Sequence, residues 1–265
     1  MSGRMKGKRV AVIGAGSVGA GWGNGKAAAV LYAREGAEVL CVDRSLSAAG
    51  ETAALIIAEG GTAHTFAGEM TDPLAATAMA GAAMTQMGGL DVLHFNIGTS
   101  VKGGLDDTDF ADWQRVFSIN LDAAFHATKA CVPHMGAGSA IVYISSLAGL
   151  NNGPYRYIGY EASKAALQRF ARSIAIEYAP RGIRANTVVP GMIDTPHVAA
   201  MIAPGQNMET VRAARAAQVP LKRQGTAWDI AEAALFLASD AAGFITGVDL
   251  RVDGGMGTLM GTSAS

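Results

Sequence analysis

Short runs of apolar and β-branched residues alternate along the chain with longer alanine-rich stretches that carry apolar residues at helical spacing. The short runs predict strands at residues 9–13, 38–42, 62–67, 91–95, 140–145, 184–189 and 249–252. The longer stretches predict helices at residues 26–35, 46–59, 73–87, 109–135, 158–179 and 227–238. Strands that alternate with helices of this length form βαβ units. We therefore predict an α/β fold with a doubly wound parallel sheet of about seven strands and helices on both of its faces.

Composition narrows the class of protein. The chain has 265 residues, is 50% hydrophobic and carries a formal net charge of −1, which does not favour binding to nucleic acid or to anionic membranes. No apolar run reaches the roughly 20 residues that span a bilayer, and the basic N-terminus lacks the apolar region of a signal peptide. Cys41 and Cys131 are far apart, and the histidines form no metal-ligand cluster. We expect one cytoplasmic domain over residues 1–265, with no metal.

Glycines are concentrated directly after the first predicted strand. The sequence "IGAGSVGAGWGNGKAAA" begins at Ile13 and leads into a predicted helix. Glycine lets a backbone turn tightly and approach a pyrophosphate, and the following helix N-terminus offers unpaired N–H groups. The pattern in this position favours a nucleotide site over a simple flexible turn.

An acidic residue follows at the end of the second predicted strand. Asp43 lies 18 residues after Gly25, near the spacing at which a carboxylate binds the adenosine ribose hydroxyls. The carboxylate would repel a ribose phosphate, so NAD is favoured. Arg44 could instead accept the phosphate of NADP, and an N-cap role for Asp43 is the structural alternative.

A tyrosine and a lysine occur at helical spacing in "YRYIGYEASKAAL". Tyr160 and Lys164 are four residues apart and therefore lie about 40° apart around a helix, on one face. An ammonium group near a phenol favours the phenolate, which predicts a lowered pKa for Tyr160 and a role in acid–base chemistry. Asn120, inside a predicted helix, indicates a backbone interruption or a functional contact.

Taken together, these motifs resemble the short-chain dehydrogenase/reductase family over nearly the whole chain. The motifs, in the order of the family, are the glycine loop, "VDR", "FNIG", "INL", "ISSLAG", "YEASK", "VVPG" and "ITGVDLRVDGG". The resemblance implies a single-domain Rossmann-type fold, a homotetramer and hydride transfer between NAD(H) and a secondary alcohol or ketone. It implies a catalytic set in which Tyr160 is the acid/base, Lys164 lowers its pKa and binds ribose, Ser146 orients the substrate oxygen, and Asn120 supports a proton relay.

The resemblance also implies a set of cofactor-binding residues along the strand ends. They are Gly14, Ser17, Gly19, Gly23, Asn24, Gly25, Asp43, Arg44, Glu69, Met70, Asn96, Gly98, Tyr160, Lys164, Pro190, Gly191, Ile193 and Thr195.

Four features depart from the family pattern. The glycine loop is longer than usual by about four residues. The stretch from Ser146 to Tyr160 is one residue longer than usual, so the choice of Ser146 over Ser145 depends on "ISSLAG". Glu69 stands where an aspartate is usual, and Phe95 replaces the first asparagine of the family's NNAG motif.

The substrate region is predicted less closely. The resemblance places a substrate lid at residues 192–224, with Tyr155, Tyr157, Met192 and Met201 as candidate contacts. Two other functions stay open. Tyr157 lies seven residues before Lys164, the spacing of the related enoyl-thioester reductases, and some family members are catalytically silent nucleotide-binding regulators.

Overall fold

A computed structural model of the chain describes residues 3–151, 156–200 and 206–259. Seven strands form one sheet: β1 (Arg9–Ile13), β2 (Glu38–Asp43), β3 (Thr62–Ala67), β4 (Val92–Phe95), β5 (Ala140–Ile144), β6 (Arg184–Pro190) and β9 (Asp249–Val252). Two short strands, β7 (Ile193–Asp194) and β8 (Gly225–Thr226), pair with each other outside it. The predicted doubly wound α/β fold is confirmed.

The helices lie between these strands. They are α1 (Asn24–Arg34), α2 (Leu46–Ala58), α3 (Pro73–Met87), α4 (Phe110–Phe117), α5 (Ala123–Cys131), α6 (Ile158–Tyr178), α7 (Pro196–Ala200), α8 (Met208–Gln218) and α9 (Ala227–Ala238). The helix predicted at residues 109–135 is wrong as a single element. A π-helical segment at Ser118–Asp122 separates α4 from α5, and a 3₁₀ turn at Val132–His134, which contains Pro133, follows α5.

All neighbouring strands in the large sheet are parallel, in the order β3-β2-β1-β4-β5-β6-β9. The order changes direction between β1 and β4, because the chain first builds outward to β3 and then returns to the other side of β1. The carboxyl ends of these strands lie at one edge, where the loops diverge and leave a crevice. Residues that follow β1, β2, β4, β5 and β6 therefore meet there.

Two apolar cores hold the helices against the sheet. On one face, alanines of α1 and α9 pack together over β1 and β5, including Ala28 and Ala234, which are fully buried. On the other face, α3, α5 and α6 cover β4 and β5 with residues such as Met79 and Leu167. Small side chains let these helices approach the sheet closely, which fits the alanine-rich composition of the chain.

A buried polar pair interrupts the first core. The hydroxyl of Tyr32 in α1 lies 2.9 Å from Nδ1 of His94 in β4, and both residues are fully buried. His94 Nε2 has no hydrogen-bond partner among the described residues. Burial lowers the pKa of His94 from 6.5 to about 3, so the imidazole is neutral in the folded protein.

This pair predicts acid sensitivity of the fold. Between pH 6.5 and about 3 the unfolded chain binds a proton at His94 that the folded chain does not, so stability falls as pH falls through this window. From pH 7 to pH 5 the contribution of His94 should cost about 2 kcal/mol of unfolding free energy. A Tyr32→Phe, His94→Leu double variant should lose that component, which urea denaturation at the two pH values would measure.

The exposed His134 provides the matched control. His134→Gln changes an exposed histidine instead of the buried one. An equally steep loss of stability in the double variant would contradict the assignment to His94.

Candidate functional site

The residue pair Tyr160 and Lys164 lies at the start of α6, facing the end of β5. Lys164 is 3% exposed, and its Nζ donates a hydrogen bond to the carbonyl oxygen of Ile144 at 2.9 Å. The same Nζ lies 5.8 Å from the centroid of the Tyr160 ring. The predicted helical spacing therefore brings the ammonium group and the phenol to the same side of α6.

The two serines after β5 have different partners. Ser145 is buried, donates to the backbone oxygen of Lys164 at 3.0 Å, and accepts from Gln168 Nε2 at 3.1 Å. Ser146 instead accepts from the N–H of Ala148 at 3.2 Å, and its hydroxyl is close enough to Tyr160 to lower the pKa of the phenol in part. Ser145 is thus a structural link between β5 and α6, whereas Ser146 faces the phenol.

Electrostatics at the phenol differ from the expectation based on sequence. Burial is the largest effect on Tyr160 and raises its pKa above the ordinary value of 10. The Ser146 hydroxyl lowers this pKa in part, and the electrostatic effect of Tyr157 raises it further. The expected lowering by Lys164 is therefore wrong for this structure, in which the net shift is upward. The physical reason is that the Lys164 ammonium group is directed to the Ile144 carbonyl oxygen rather than to the phenol oxygen.

Asn120 lies within the π-helical segment, as the predicted backbone interruption requires. It is fully buried and its side chain is satisfied on three sides. Oδ1 accepts from the N–H of Thr99 at 2.7 Å, while Nδ2 donates to the oxygen of Thr99 at 2.9 Å and to Ser163 Oγ at 2.8 Å. This side chain joins the loop after β4 to α6.

Sequence reasoning missed the two partners of Asn120. Ser163 links Asn120 to Tyr160, because its Oγ donates a hydrogen bond to the backbone oxygen of Tyr160 at 2.9 Å. The signal for Ser163 was present, since it lies three residues after Tyr160 on the same helix. Gly98 is close to the same group: a Cβ added to it would lie 3.0 Å from Lys164 Nζ and 3.4 Å from Asn120 Oδ1.

The glycine loop after β1 approaches the start of α1. Gly14 has a φ of +81°, and a Cβ there would lie 2.8 Å from the side chain of Ile97. A Cβ on Gly25 would collide with the carbonyl oxygen of Gly14, so these two positions require glycine. Gly23 is the N-cap of α1, Asn24 is its first residue, and Asn96 Nδ2 donates to the Gly14 oxygen at 3.2 Å.

The same loop presents unpaired backbone donors. For residues 17–23 no acceptor of a backbone N–H lies within the described part of the chain. The only side-chain hydrogen bond found within this stretch joins Ser17 Oγ to the carbonyl oxygen of Gly19 at 2.8 Å. Consecutive free donors beside a helix N-terminus suit an anionic group, and the pyrophosphate of a dinucleotide fits that description.

Asp43, at the end of β2, faces this loop. Its Oδ2 accepts from the N–H of Gly16 at 3.1 Å and its Oδ1 accepts from the N–H of Ser45 at 3.0 Å. The N-cap of α2 is Ser45, not Asp43, so the structural alternative for this carboxylate is wrong. Arg44 is exposed beside it.

The remaining predicted cofactor residues are dispersed along the same edge. Glu69 is exposed after β3, whereas the side chain of Met70 is buried in the second core and leaves only its backbone for a ligand. Pro190 ends β6, and Gly191 follows it against Asp253. Ile193 is also a core residue, at 6% exposure, and Thr195 is buried.

The predicted substrate contacts are less well defined. Tyr157 is the N-cap of α6, and its ring lies edge-on to that of Tyr160 with centroids 6.4 Å apart. Met192 is half-buried. Tyr155 and Met201 lie outside the described residues.

Comparison with known proteins identifies relatives of this chain. A family model described as enoyl-(acyl carrier protein) reductase matches residues 19–257. The chain is 36% identical to 2-(S)-hydroxypropyl-CoM dehydrogenase 3 of Xanthobacter autotrophicus, over 97% of this chain and 99% of that protein. It is 39% identical to cis-4-hydroxycyclohexanecarboxylate dehydrogenase of Sinomonas cyclohexanicum, over 94% and 96% respectively.

A solved structure from Burkholderia xenovorans, described as a short-chain dehydrogenase/reductase, superposes with a TM-score of 0.93 at 39% identity, covering 97% of this chain and 99% of that one. The chain belongs to the short-chain dehydrogenase/reductase family. It is therefore an oxidoreductase, and the family generally uses NAD or NADP.

Two other findings bear on the expected properties. Among the helices of the described residues, none is both long and apolar enough to cross a bilayer. Within residues 3–151, 156–200 and 206–259, no group of three or more His, Cys, Asp or Glu side chains could hold a metal ion.

The buried Lys164 destabilises the folded protein, and its replacement yields a prediction. Burial lowers the pKa of Lys164 from 10.5 to about 8, which corresponds to about 3 kcal/mol against the folded state at pH 7. A variant that lacks the hydrogen bond from Lys164 to the Ile144 oxygen would lose about 1 kcal/mol of stability, which offsets part of this gain. We expect Lys164→Met to raise the unfolding free energy of the dinucleotide-free protein by about 2 kcal/mol in urea denaturation at pH 7.

The pH dependence provides the control. Between pH 8 and pH 10.5 the unfolded chain holds a proton on Lys164 that the folded chain has lost, so wild-type stability rises with pH relative to the variant. The difference in unfolding free energy between the wild type and Lys164→Met should therefore become smaller over this range. A variant that is less stable than the wild type at pH 7 would contradict the assigned cost.

Proposed function

We propose that the protein transfers a hydride between NAD(H) and a secondary alcohol or ketone. The observation that carries this proposal is the position of Tyr160 at the start of α6, with the Lys164 ammonium group 5.8 Å from its ring centroid and the Ser146 hydroxyl close enough to affect its pKa. A substrate oxygen held by both hydroxyls would exchange a proton with Tyr160 while its carbon faces the nicotinamide. The dinucleotide, when bound, supplies or accepts the hydride.

Each residue of the catalytic set has a distinct role in this proposal. Tyr160 is the acid/base, and Ser146 orients the reacting oxygen. Lys164 binds the nicotinamide ribose, since its ammonium group lies on the same side of α6 as the Tyr160 ring. Asn120 holds the loop after β4 against α6 and supports the proton relay, a role consistent with its place in a π-helical segment.

The cofactor would lie along the carboxyl edge of the sheet. The free N–H groups of residues 17–23 and the N-terminus of α1 would hold the pyrophosphate, and Asp43 would bind the adenosine ribose. Gly14, Gly25, Asn96 and Gly98 would shape the floor, with Glu69 and the Met70 backbone near the adenine. Pro190, Gly191, Ile193 and Thr195 would border the nicotinamide end.

The class of substrate follows from the relatives. The names of the Xanthobacter and Sinomonas enzymes both specify a hydroxyl group on a secondary carbon. We propose a secondary alcohol of moderate size, bound beneath a lid at residues 192–224, with Tyr155, Tyr157, Met192 and Met201 among its contacts. We also propose that the chain is a single domain over residues 1–265, works in the cytoplasm and assembles as a homotetramer.

Enoyl-thioester reduction is the second candidate, and the description of the matching family model favours it. Its acid would be Tyr157, seven residues before Lys164. In the structure, however, it is the Tyr160 ring that lies 5.8 Å from the Lys164 ammonium group, and it is the Tyr160 phenol whose pKa the Ser146 hydroxyl lowers in part. These contacts support the alcohol dehydrogenase function over enoyl reduction.

Replacement of the two tyrosines distinguishes the candidates. Tyr160→Phe should lower kcat for alcohol oxidation by about 10³-fold or more, because it removes the acid/base group, while dinucleotide affinity changes little. Tyr157→Phe is the matched control and should retain most of the activity. The assay would follow NADH formation with a panel that includes 4-hydroxycyclohexanecarboxylate and 2-hydroxypropyl thioethers, alongside reduction of an enoyl thioester.

The reverse pattern would support enoyl reduction. Loss of enoyl-thioester turnover in Tyr157→Phe, with Tyr160→Phe still active, would overturn the proposed assignment. Tight dinucleotide binding without any turnover of the panel would instead favour a silent regulatory protein.

The choice of cofactor yields a separate prediction at Asp43. Asp43→Ala removes the proposed acceptor of the ribose hydroxyls and the negative charge that repels a 2′-phosphate. NADH affinity should fall about 10- to 100-fold, whereas NADPH affinity should change little or improve. Fluorescence titration with both reduced dinucleotides measures the ratio.

Asp43→Asn separates the charge from the shape at this position. It keeps a hydrogen-bond acceptor for Gly16 or Ser45 and should fall between the wild type and Asp43→Ala. Equal losses for the two dinucleotides would remove the basis for NAD preference.

A further inference from the structure

The inserted loop, residues 17–22, follows β1 and is exposed at residues 18–21, yet it approaches α7 and α9. Its backbone N–H groups have no acceptor within the described part of the chain. Its tip carries an exposed apolar side chain, Val18, at 66% exposure. Exposed donors of this kind are hydrated, and the oxygens of an anionic ligand could replace that water as acceptors.

One end of the inserted loop is firmly attached. The ring of Trp22 packs on that of Trp228, at the start of α9, with centroids 4.7 Å apart. Lys26 Nζ lies 5.5 Å from the centroid of the Trp22 ring, and the Arg34 guanidinium lies 5.0 Å from that of Trp228. Aromatic and cation–π contacts of this kind fix the C-terminal end of the loop to α1 and α9.

The other part of the loop reaches the first residue of α7, in the predicted lid. A Cβ added to Gly19 would lie 3.8 Å from Pro196 Cβ, and one added to Gly21 would lie 3.4 Å from Pro196 Cγ. No hydrogen bond joins the inserted loop to the lid in the regions that the structure describes. The two segments therefore meet through a small apolar contact, which can open at low cost.

The inserted loop follows β1 and Pro196 comes shortly after β6, so both lie at the carboxyl edge of the sheet, where the cofactor is proposed to bind. Gly14 and Gly25 form the floor at the pyrophosphate end, while Thr195, the neighbour of Pro196, borders the nicotinamide end. A dinucleotide bound along this edge would pass under the point where the loop meets the lid. Its phosphate oxygens would then pair with the free N–H groups and strengthen a closure that is weak without ligand.

We propose that the inserted loop is a clasp that closes against Pro196 over the bound dinucleotide and slows its release. This inference rests on the proposed function, because it requires a dinucleotide in the crevice. It goes beyond that function because it proposes that the contact between residues 17–22 and Pro196 controls the dissociation rate of the dinucleotide.

The contact offers a direct test by cross-linking. The distance of 3.8 Å between the Cβ positions at 19 and 196 matches the usual separation in a disulfide. Gly19 does not have a positive φ, so a cysteine is tolerated there, and the native Cys41 and Cys131 are buried. The double variant Gly19→Cys, Pro196→Cys would be loaded with NADH, oxidised, and mixed with excess NAD in a stopped-flow instrument.

Energy transfer from tryptophan to bound NADH reports release. In the oxidised double variant we expect release to slow by about 100-fold or more, and dithiothreitol should restore the rate of the reduced protein. The single variants Gly19→Cys and Pro196→Cys, treated with the same oxidant, should not respond to dithiothreitol. Release at the same rate before and after reduction of a disulfide confirmed by thiol titration would overturn the proposal, and so would failure of the disulfide to form.

Shortening the loop tests the opposite direction. Deletion of residues 18–21 removes the contact with Pro196 and should raise the NADH dissociation rate about tenfold, with the association rate changed less. Trp22→Ala, which loosens the attached end but keeps the loop length, provides a second variant should the deletion fail to fold, and it should also accelerate release. Unchanged dissociation in a folded variant would refute the clasp alone, whereas absence of NADH binding by the wild type would refute the proposed function and the clasp together.

Discussion

The burial of one ammonium group governs the arrangement of the site. Lys164 is almost completely removed from solvent, and the Ile144 carbonyl oxygen is the acceptor that its Nζ reaches in the dinucleotide-free structure. A single neutral acceptor compensates only part of the desolvation of a charge, which is why the pKa of Lys164 falls to about 8. The protein tolerates this cost because β5 and α6 hold the lysine in place by other bonds, such as that from Ser145 Oγ to the Lys164 backbone.

The neighbours of this lysine form a connected polar network. Asn120 binds both backbone groups of Thr99 and also Ser163, and Ser163 binds the backbone of Tyr160. Since the π-helical segment directs Asn120 into this position, the loop after β4 and the start of α6 keep a fixed spacing. The start of α6, which carries Tyr160, is therefore positioned by buried groups that do not themselves need to touch a substrate.

Much of the fold could be predicted from sequence, because each strand is a short β-branched run and each helix has a clear period. The bounds of β1, β3 and β9 agree with prediction, and capping residues such as Asp72 and Thr226 mark the helix starts. The long helix at residues 109–135 was predicted wrongly as one element because its apolar pattern continues through the π-helical segment. Only the intrinsically unfavourable Asn120 signalled the interruption.

The electrostatics of the site could not be predicted in the same way. Spacing indicates that Tyr160 and Lys164 share a helix face, but it does not determine which atom the ammonium group binds. That depends on the Ile144 carbonyl oxygen, which comes from another part of the chain and meets Lys164 only after the sheet has formed. The same holds for Ser145 and Ser146, whose adjacent sequence positions do not reveal that Ser145 bonds the backbone of Lys164 while Ser146 lies near the phenol of Tyr160.

The glycine loop shows how the two ends of one segment can differ in rigidity. Trp22 is held by a tilted contact between two indole rings, whereas the contact with Pro196 is a small van der Waals approach without hydrogen bonds in the described structure. An aromatic pair contributes far more than a few pairwise carbon contacts, so motion of the loop should occur at its Pro196 side and pivot near Trp22. An anionic ligand beneath the loop would change this balance, because its oxygens could replace water as charged acceptors for the N–H groups of residues 17–23. Closure of the loop should therefore depend on the negative charge of the ligand beneath it.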